Sequence, residues 1–150
     1  MNLRPVTDDD VFRIWRWQQH PDTRLFFRKL AHPTWAEHVY WFAERLNGLQ
    51  QGVEAWDIIG YAPDGADVGV VNVSVEDDKR MLGIIVAPEH RGKGVGTEAI
   101  VAATLKYGGR DKLYAVIHAG NKASLGAFRR AGYKERPELR SGSWLMLVSS

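Results

Sequence analysis

The sequence predicts an α/β fold built on one mixed, twisted sheet flanked by helices, with an antiparallel meander first and a parallel pair later. Three observations carry this. Two helical patterns open the chain, three strand patterns follow with only turns between them, and helix and strand then alternate. Strands joined by short turns are antiparallel neighbours, whereas a strand–helix–strand unit returns in parallel. At 150 residues the chain fits one domain, taken as residues 1–150.

Thr7, followed by Asp8, Asp9 and Asp10, reads as a helix start, with a capping side chain and acids at the positive end of the dipole. Val11, Phe12, Ile14 and Trp15 give an apolar face, and Pro21 ends the run. A second helix opens at the capping box Thr34–Glu37, carries Trp35, Val39, Phe42 and Leu46 at helical spacing, and closes at Asn47-Gly48. Residues 54–61 and 68–75 then read as strands around the turn "APDG". A third strand runs through "MLGIIVA", an apolar block broken by Gly83.

After a glycine-rich stretch, "TEAIVAATLKY" reads as a helix with Ile100, Thr104 and Tyr107 on one side and Val101 and Leu105 beside them. Gly108-Gly109 stops it. "KLYAVIHA" is the fourth strand, "NKASLGAFRRAG" a short helix ending at Gly132, and "SWLMLVS" the last strand.

Composition narrows the function classes. A hydrophobic content of 45% and a charged content of 25% are ordinary for a globular domain. A net charge of +2 without a basic run argues against a nucleic-acid partner. No apolar stretch approaches a membrane span, and "MNLRPVTDDD" lacks a signal-peptide core, so a cytoplasmic protein without a membrane partner is expected. Cysteine is absent, which excludes disulfides, cysteine metal sites and a cysteinyl intermediate, and no metal is expected.

The stretch "VAPEHRGKGVGTEAI" places three glycines and three basic or potentially basic side chains between a strand and a helix. Such a turn directs several main-chain N–H groups at one point at the positive end of a helix, and glycine leaves them bare. It reads either as a tight turn or as an anion site, and its position favours the anion site. Lys93 is followed by Gly94, so the stretch is no P-loop, and its glycine spacing is not that of the dinucleotide fingerprint.

Arg91-Gly92-Lys93-Gly94-Val95-Gly96 resembles the Arg/Gln-x-x-Gly-x-Gly/Ala signature of the GNAT superfamily of N-acetyltransferases. "VIHAGNKASLGAFRRAGY" resembles the second motif of that superfamily, with Asn121, Ser124, Phe128, Gly132 and Tyr133 in its spacing. The resemblance implies the GNAT fold and acetyl-coenzyme A as co-substrate. Its pyrophosphate would lie on Arg91, Gly92, Lys93, Gly94, Gly96 and Thr97. It further implies that the central parallel strands splay apart and that the pantetheine arm pairs with strand edges at Ile84 to Val86 and Leu113 to His118. Gly83 suits a bulge that opens the gap. A main-chain N–H at Ile84 or Ile85 would meet the carbonyl oxygen, Ile85 being the expected oxyanion donor. Asn121 and Ser124 would bond the arm, cap their helix, or do both.

The implied reaction is direct attack of an amine on the acetyl thioester in a ternary complex. Phe128 stands where many members carry a tyrosine acid, and Val116 where some carry a glutamate. His118 is therefore the expected base or proton relay, although a histidine at a strand end also has a purely structural reading. Glu37, His38, Asp77 and Asp78 are weaker candidates, and a path through water needs no dedicated acid.

The first helices usually line the acceptor pocket in this superfamily. Here they resemble two subgroups, one acting on ribosomal-protein N-termini and the other on amino-sugar nucleotides. Trp15, Arg16, Arg24, His38 and Trp41 are the expected acceptor residues, with Arg16, Arg24 and Arg28 placed to hold a diphosphate. Trp15, Trp35 and Phe42 read more readily as core residues that anchor the two helices on the sheet. The arginines favour a small-molecule amine, an amino-sugar nucleotide, over a peptide N-terminus. A non-catalytic acetyl-coenzyme A sensor is the alternative of another class, and a monomer or homodimer is expected.

Overall fold

A computed structural model describes residues 1–25, 33–61, 64–109 and 111–150. Seven strands form one sheet in the order β1-β2-β3-β4-β5-β7-β6. The meander is β2 (Ala55–Tyr61), β3 (Ala66–Glu76) and β4 (Lys79–Val86), antiparallel throughout. Asp77 and Asp78, both with positive φ, make the two-residue β3–β4 turn, a geometry that Asp tolerates. β4 and β5 (Leu113–His118) are the parallel pair, and β7 (Trp144–Val148) runs antiparallel to β5.

Two strands were not expected. β1 (Asn2–Pro5) pairs with the outer edge of β2, and β6 (Lys134–Glu135) with the outer edge of β7. Four residues that include Arg4 and Pro5 carry no alternation, and two residues carry no period at all. Their pairing comes from an open sheet edge rather than from their own pattern.

The helices are α1 (Val11–Gln19), α2 (Pro21–Arg24), α3 (Trp35–Gly48), α4 (Val95–Tyr107) and α5 (Lys122–Arg130). α1 and α3 cover one face of the sheet, where Ile14, Trp17 and Phe42 pack with Trp56, Ile58 and Val70. α4 and α5 cover the other, where Val95, Ile100, Leu125 and Phe128 pack with Val71, Leu82 and Ala115. Because both faces are covered, β2 buries residues of either parity, Trp56 and Ile58 on one side and Ala55 and Ile59 on the other.

Several helix faces turn otherwise than expected. Pro21 ends α1 but also opens α2, because a proline at the first helical position loses no needed N–H. In α1 the buried residues are Ile14 and Trp17, and in α3 they are His38 and Phe42. Of the expected faces, Phe12, Trp15 and Trp35 lie beside these and meet between the two helices, whereas Val39 is exposed. Trp35 meets Phe12 and Trp15 edge-on, at centroid distances of 6.1 and 5.5 Å. In α4 the buried positions are Val95, Ala99, Ile100 and Ala103, whereas Leu105 is 81% exposed.

The acidic run at the start of α1 does more than complement a dipole. Asp10 is 1% exposed and accepts from Arg4 at 2.9 and 3.0 Å and from the Thr7 N–H at 2.9 Å. Burial pushes its carboxyl up, and the Arg4 and Thr7 hydrogen bonds outweigh this and hold it below the usual range. No helix among the described residues is long and apolar enough to cross a membrane. The turn residues 62 and 63 and Arg28 lie outside the described residues.

Candidate active site

The parallel pair is joined only at Arg80↔Leu113 and Met81↔Tyr114. Beyond that point β4 and β5 separate, and a cleft of about 710 Å³ opens between them, lined by Leu82 to Val86 on one side and Ala115 to His118 on the other. No bulge at Gly83 produces the gap, because the β3–β4 register is unbroken from Glu76↔Lys79 to Gly69↔Val86. Gly83 instead makes room for the Asn72 side chain, whose Oδ1 lies 2.6 Å from where a Cβ on Gly83 would stand. The sheet's register shift falls between Ile59 and Gly60, at the far side of β3.

The register decides which amides face the gap. The Ala87 N–H bonds the Val68 carbonyl at 2.7 Å, and residues of one parity turn their main-chain groups to the same neighbour. Gly83, Ile85 and Ala87 therefore turn theirs toward β3, while Leu82, Ile84 and Val86 turn theirs toward the gap. Ile85, the expected oxyanion donor, has its amide on the wrong side of the strand. The gap-facing amides are those of Leu82, Ile84 and Val86.

At the end of β4 the chain passes a single 3-10 turn, Pro88–His90, and enters the glycine loop. Gly92 and Gly94 have φ of +75° and +79°, a conformation that side chains disfavour, with nothing within 4 Å of an added Cβ. Gly94 is the N-cap of α4 and supplies no side-chain cap. The first intrahelical bond there is Glu98 N–H to Gly94 O at 3.3 Å. The amides of Val95, Gly96 and Thr97 precede it and have no intrahelical acceptor, at the positive end of a thirteen-residue helix. α4 thus starts two residues before its expected start and brings Val95 into the core.

Arg91 holds this loop in shape. Its Nε donates to the Val86 carbonyl at 3.2 Å and its Nη2 to Thr23 Oγ1 at 2.5 Å, tying the loop to the end of β4 and to α2. Lys93 is exposed. Thr97 accepts from Arg130 Nε at 3.3 Å, and Arg130 lines the cleft. Arg130 was not expected. A basic residue in the last turn of a helix reads as a solvated partner of the dipole, and only the packing of α5 beside the loop gives it a second place.

Across the gap, Asn121 Oδ1 accepts from the Ser124 N–H at 3.2 Å, capping α5 while both residues line the cleft. Phe128 is 3% exposed, lines the cleft, and meets Tyr133 edge-on at 5.0 Å. The Tyr133 hydroxyl bonds Thr104 Oγ1 at 2.7 Å within the α4–α5 core, and burial raises its pKa. His118 lines the cleft at the end of β5. Its Nδ1 accepts from the Gly120 N–H at 2.9 Å, and its ring meets Trp144 edge-on at 5.0 Å. A ring nitrogen that accepts a hydrogen bond is bare, so in the neutral imidazole the proton sits on Nε2.

The expected acceptor residues are dispersed. His38 is 1% exposed, its Nε2 bonds the Val11 carbonyl at 3.0 Å, and its ring lies among Trp15, Trp35, Trp41 and Phe42. Burial lowers its pKa against that hydrogen bond. Arg24 is buried and donates to the Gln18 carbonyl at 3.3 Å. Arg16 faces Glu89 at 3.8 Å, and Trp41, 41% exposed, meets Trp56 edge-on. From the N-terminal helices the cleft takes Asp22, Thr23 and Leu25 instead. Glu37 is engaged in the Thr34 capping box, and Asp77 and Asp78 sit at the end of β4 opposite the loop. No group of three or more metal-ligating side chains exists among the described residues.

A family model described as an acetyltransferase (GNAT) domain matches residues 1–134. No curated protein matches the sequence. The fold is similar to that of the aminoglycoside acetyltransferase AAC(6')-Ib in complex with coenzyme A and kanamycin. That likeness has 17% identity and a TM-score of 0.79, covering 99% of this chain and 94% of that one. It is also similar to a chimera of the Vibrio cholerae spermidine N-acetyltransferase SpeG and hSSAT, at 15% identity and a TM-score of 0.76, covering 99% and 93%. A domain from Methanocaldococcus jannaschii DSM 2661 shares 24% identity with a TM-score of 0.78, covering 98% and 96%.

Proposed function

The chain belongs to the GNAT acetyltransferase family, and on that premise we propose that it transfers the acetyl group of acetyl-coenzyme A to a primary amine of a small molecule. The observation that carries this reading is the continuity of one cleft. It runs from the unpaired edges of β4 and β5 to the bare amides at the start of α4. An amide-rich arm suits the strand edges, and a diphosphate suits the helix start flanked by Arg91 and Arg130. The coenzyme supplies the thioester. The gap-facing amide of Ile84 or Val86 stabilises negative charge that gathers on its carbonyl oxygen.

Attack requires an uncharged amine. Its nitrogen bonds to the acetyl carbon, the carbon–sulfur bond breaks, and the departing thiolate needs a proton. The attacking nitrogen gives up its surplus proton, which passes through water to the thiolate, and His118, whose Nδ1 accepts from the Gly120 amide, serves this relay as a hydrogen-bonding group at the cleft. Phe128 cannot take that role.

For the acceptor, an amino sugar fits better than a sugar carrying a diphosphate. Of the expected diphosphate clamp, Arg16 faces Glu89 and Arg24 is buried against Gln18, while Arg28 lies outside the described residues. Asp22 at the cleft suits the ammonium group of an amino sugar. The relatives in complex with kanamycin or named for spermidine act on amines. The test is thiol release from acetyl-coenzyme A in the presence of amino sugars, sugar nucleotides, spermidine and peptides. Release with amino sugars supports the reading. Coenzyme binding without release across the whole panel makes the protein a sensor.

A further inference from the structure

Asn72 is a polar residue where the sheet calls for an apolar one. It lies in β3 between buried Val71 and Val73, and its same-face neighbours Trp56 and Val70 are buried as well. Trp56, Asn72 and Gly83 form one cross-strand row on the α1–α3 face. The Asn72 amide extends along this row into the space that a side chain at Gly83 would fill. Gly83 lies two residues past the last β4–β5 pair, at the root of the cleft. The amide is half-buried and makes no hydrogen bond with another side chain or main-chain group among the described residues. A half-buried carboxamide that no protein group bonds is open to a partner from outside the chain.

We infer that Asn72 is an acceptor-binding residue, its Oδ1 taking a hydrogen bond from the amine that attacks the thioester. This rests on the transferase reading above. The direction of approach favours it. α4 and α5 pack on one face of the sheet, and the Trp56–Asn72–Gly83 row belongs to the other, the face from which an amine would approach the reacting carbon. An oxygen acceptor there orients an N–H and leaves the nitrogen lone pair for attack. Gly83 then has a reason beyond the strand, since any side chain would displace the amide.

The test uses the full chain, acetyl-coenzyme A and whichever of kanamycin, spermidine and glucosamine releases thiol fastest. Asn72→Ala is expected to raise the KM for the amine at least about tenfold while the Kd for acetyl-coenzyme A stays unchanged. Gly83→Ala, which keeps the amide but pushes it aside, is expected to raise the same KM. Asn72→Asp preserves shape and covers the case in which the alanine variant does not fold. Its carboxylate is expected to lower the amine KM and, by holding the nitrogen protonated, to lower kcat. An amine KM within about twofold of wild type in folded Asn72→Ala or Asn72→Asp overturns the inference, as does a matching loss of coenzyme affinity. If the wild type binds acetyl-coenzyme A but releases thiol with none of the amines, the transferase reading itself has failed and this inference falls with it.

Discussion

His118 Nδ1 and the Gly120 main-chain nitrogen are 2.9 Å apart, and the bond between them determines which ring nitrogen carries the proton at the cleft. With Nδ1 accepting, Nε2 is a donor in the neutral ring. His118→Ala is expected to lower kcat on the order of a hundredfold and to leave the coenzyme Kd unchanged. His118→Gln, which keeps an N–H near the former Nε2, should recover part of the loss. Steady-state kinetics with the best amine checks this, and unchanged turnover in the alanine variant removes His118 from the proton path.

The three loop glycines are not equivalent. Gly94 sits at positive φ, where a side chain costs about 1–2 kcal/mol. Gly96 does not, and an added Cβ there meets Val86 and Ala127 at ordinary distances of 3.7 and 3.8 Å. Thermal unfolding should therefore separate them, with Gly94→Ala lowering the Tm by about 2–6 °C and Gly96→Ala leaving it in place. Equal shifts contradict the assignment of strain to Gly94.

Thr23 receives Arg91 across the cleft mouth. Thr23→Val keeps shape and burial but loses the acceptor, leaving Arg91 with the Val86 carbonyl alone. Coenzyme affinity is expected to fall about three- to tenfold, and Thr23→Ser to restore it. Calorimetry on the two variants checks this.

His38 makes stability depend on pH. Burial lowers its pKa below the ordinary value near 6.5, although the Val11 carbonyl favours the charged form. Its contribution is therefore complete above about pH 6.5, where the histidine is neutral in both states. It is lost as pH falls through the lowered folded value, because the unfolded chain takes the proton first. Urea unfolding at pH 7.5 and 5.5 should show a larger loss in wild type than in His38→Gln. Equal losses place the acid sensitivity elsewhere.

The central fold was legible because its signals are local. The Thr34–Glu37 box, the apolar, β-branched runs within 54–61 and 68–75, and the glycine run each state their own conformation. β1 and β6 were not legible, since a sheet edge rather than their own residues makes them strands. The cleft's walls were expected at Ile84 to Val86 and Leu113 to His118; the gap opens between Leu82 to Val86 and Ala115 to His118, because Leu113 and Tyr114 still pair with β4. Which amide of Ile84, Ile85 and Val86 faces the gap depends on the β3 register, which no single strand encodes. The acceptor side was least legible. Aromatic spacing in α1 and α3 does not reveal that the rings of Trp15, Trp35 and Trp41 pack around His38. Nor does it reveal that the short α2 carries Thr23 to the cleft.

The account stands on the main-chain amides at the start of α4 holding the diphosphate of acetyl-coenzyme A. Calorimetric titration of wild type and Gly94→Glu with acetyl-coenzyme A at moderate salt tests this most directly. A single saturable site in wild type that disappears in folded Gly94→Glu is predicted. No saturation in wild type, or equal affinity in the variant, contradicts it.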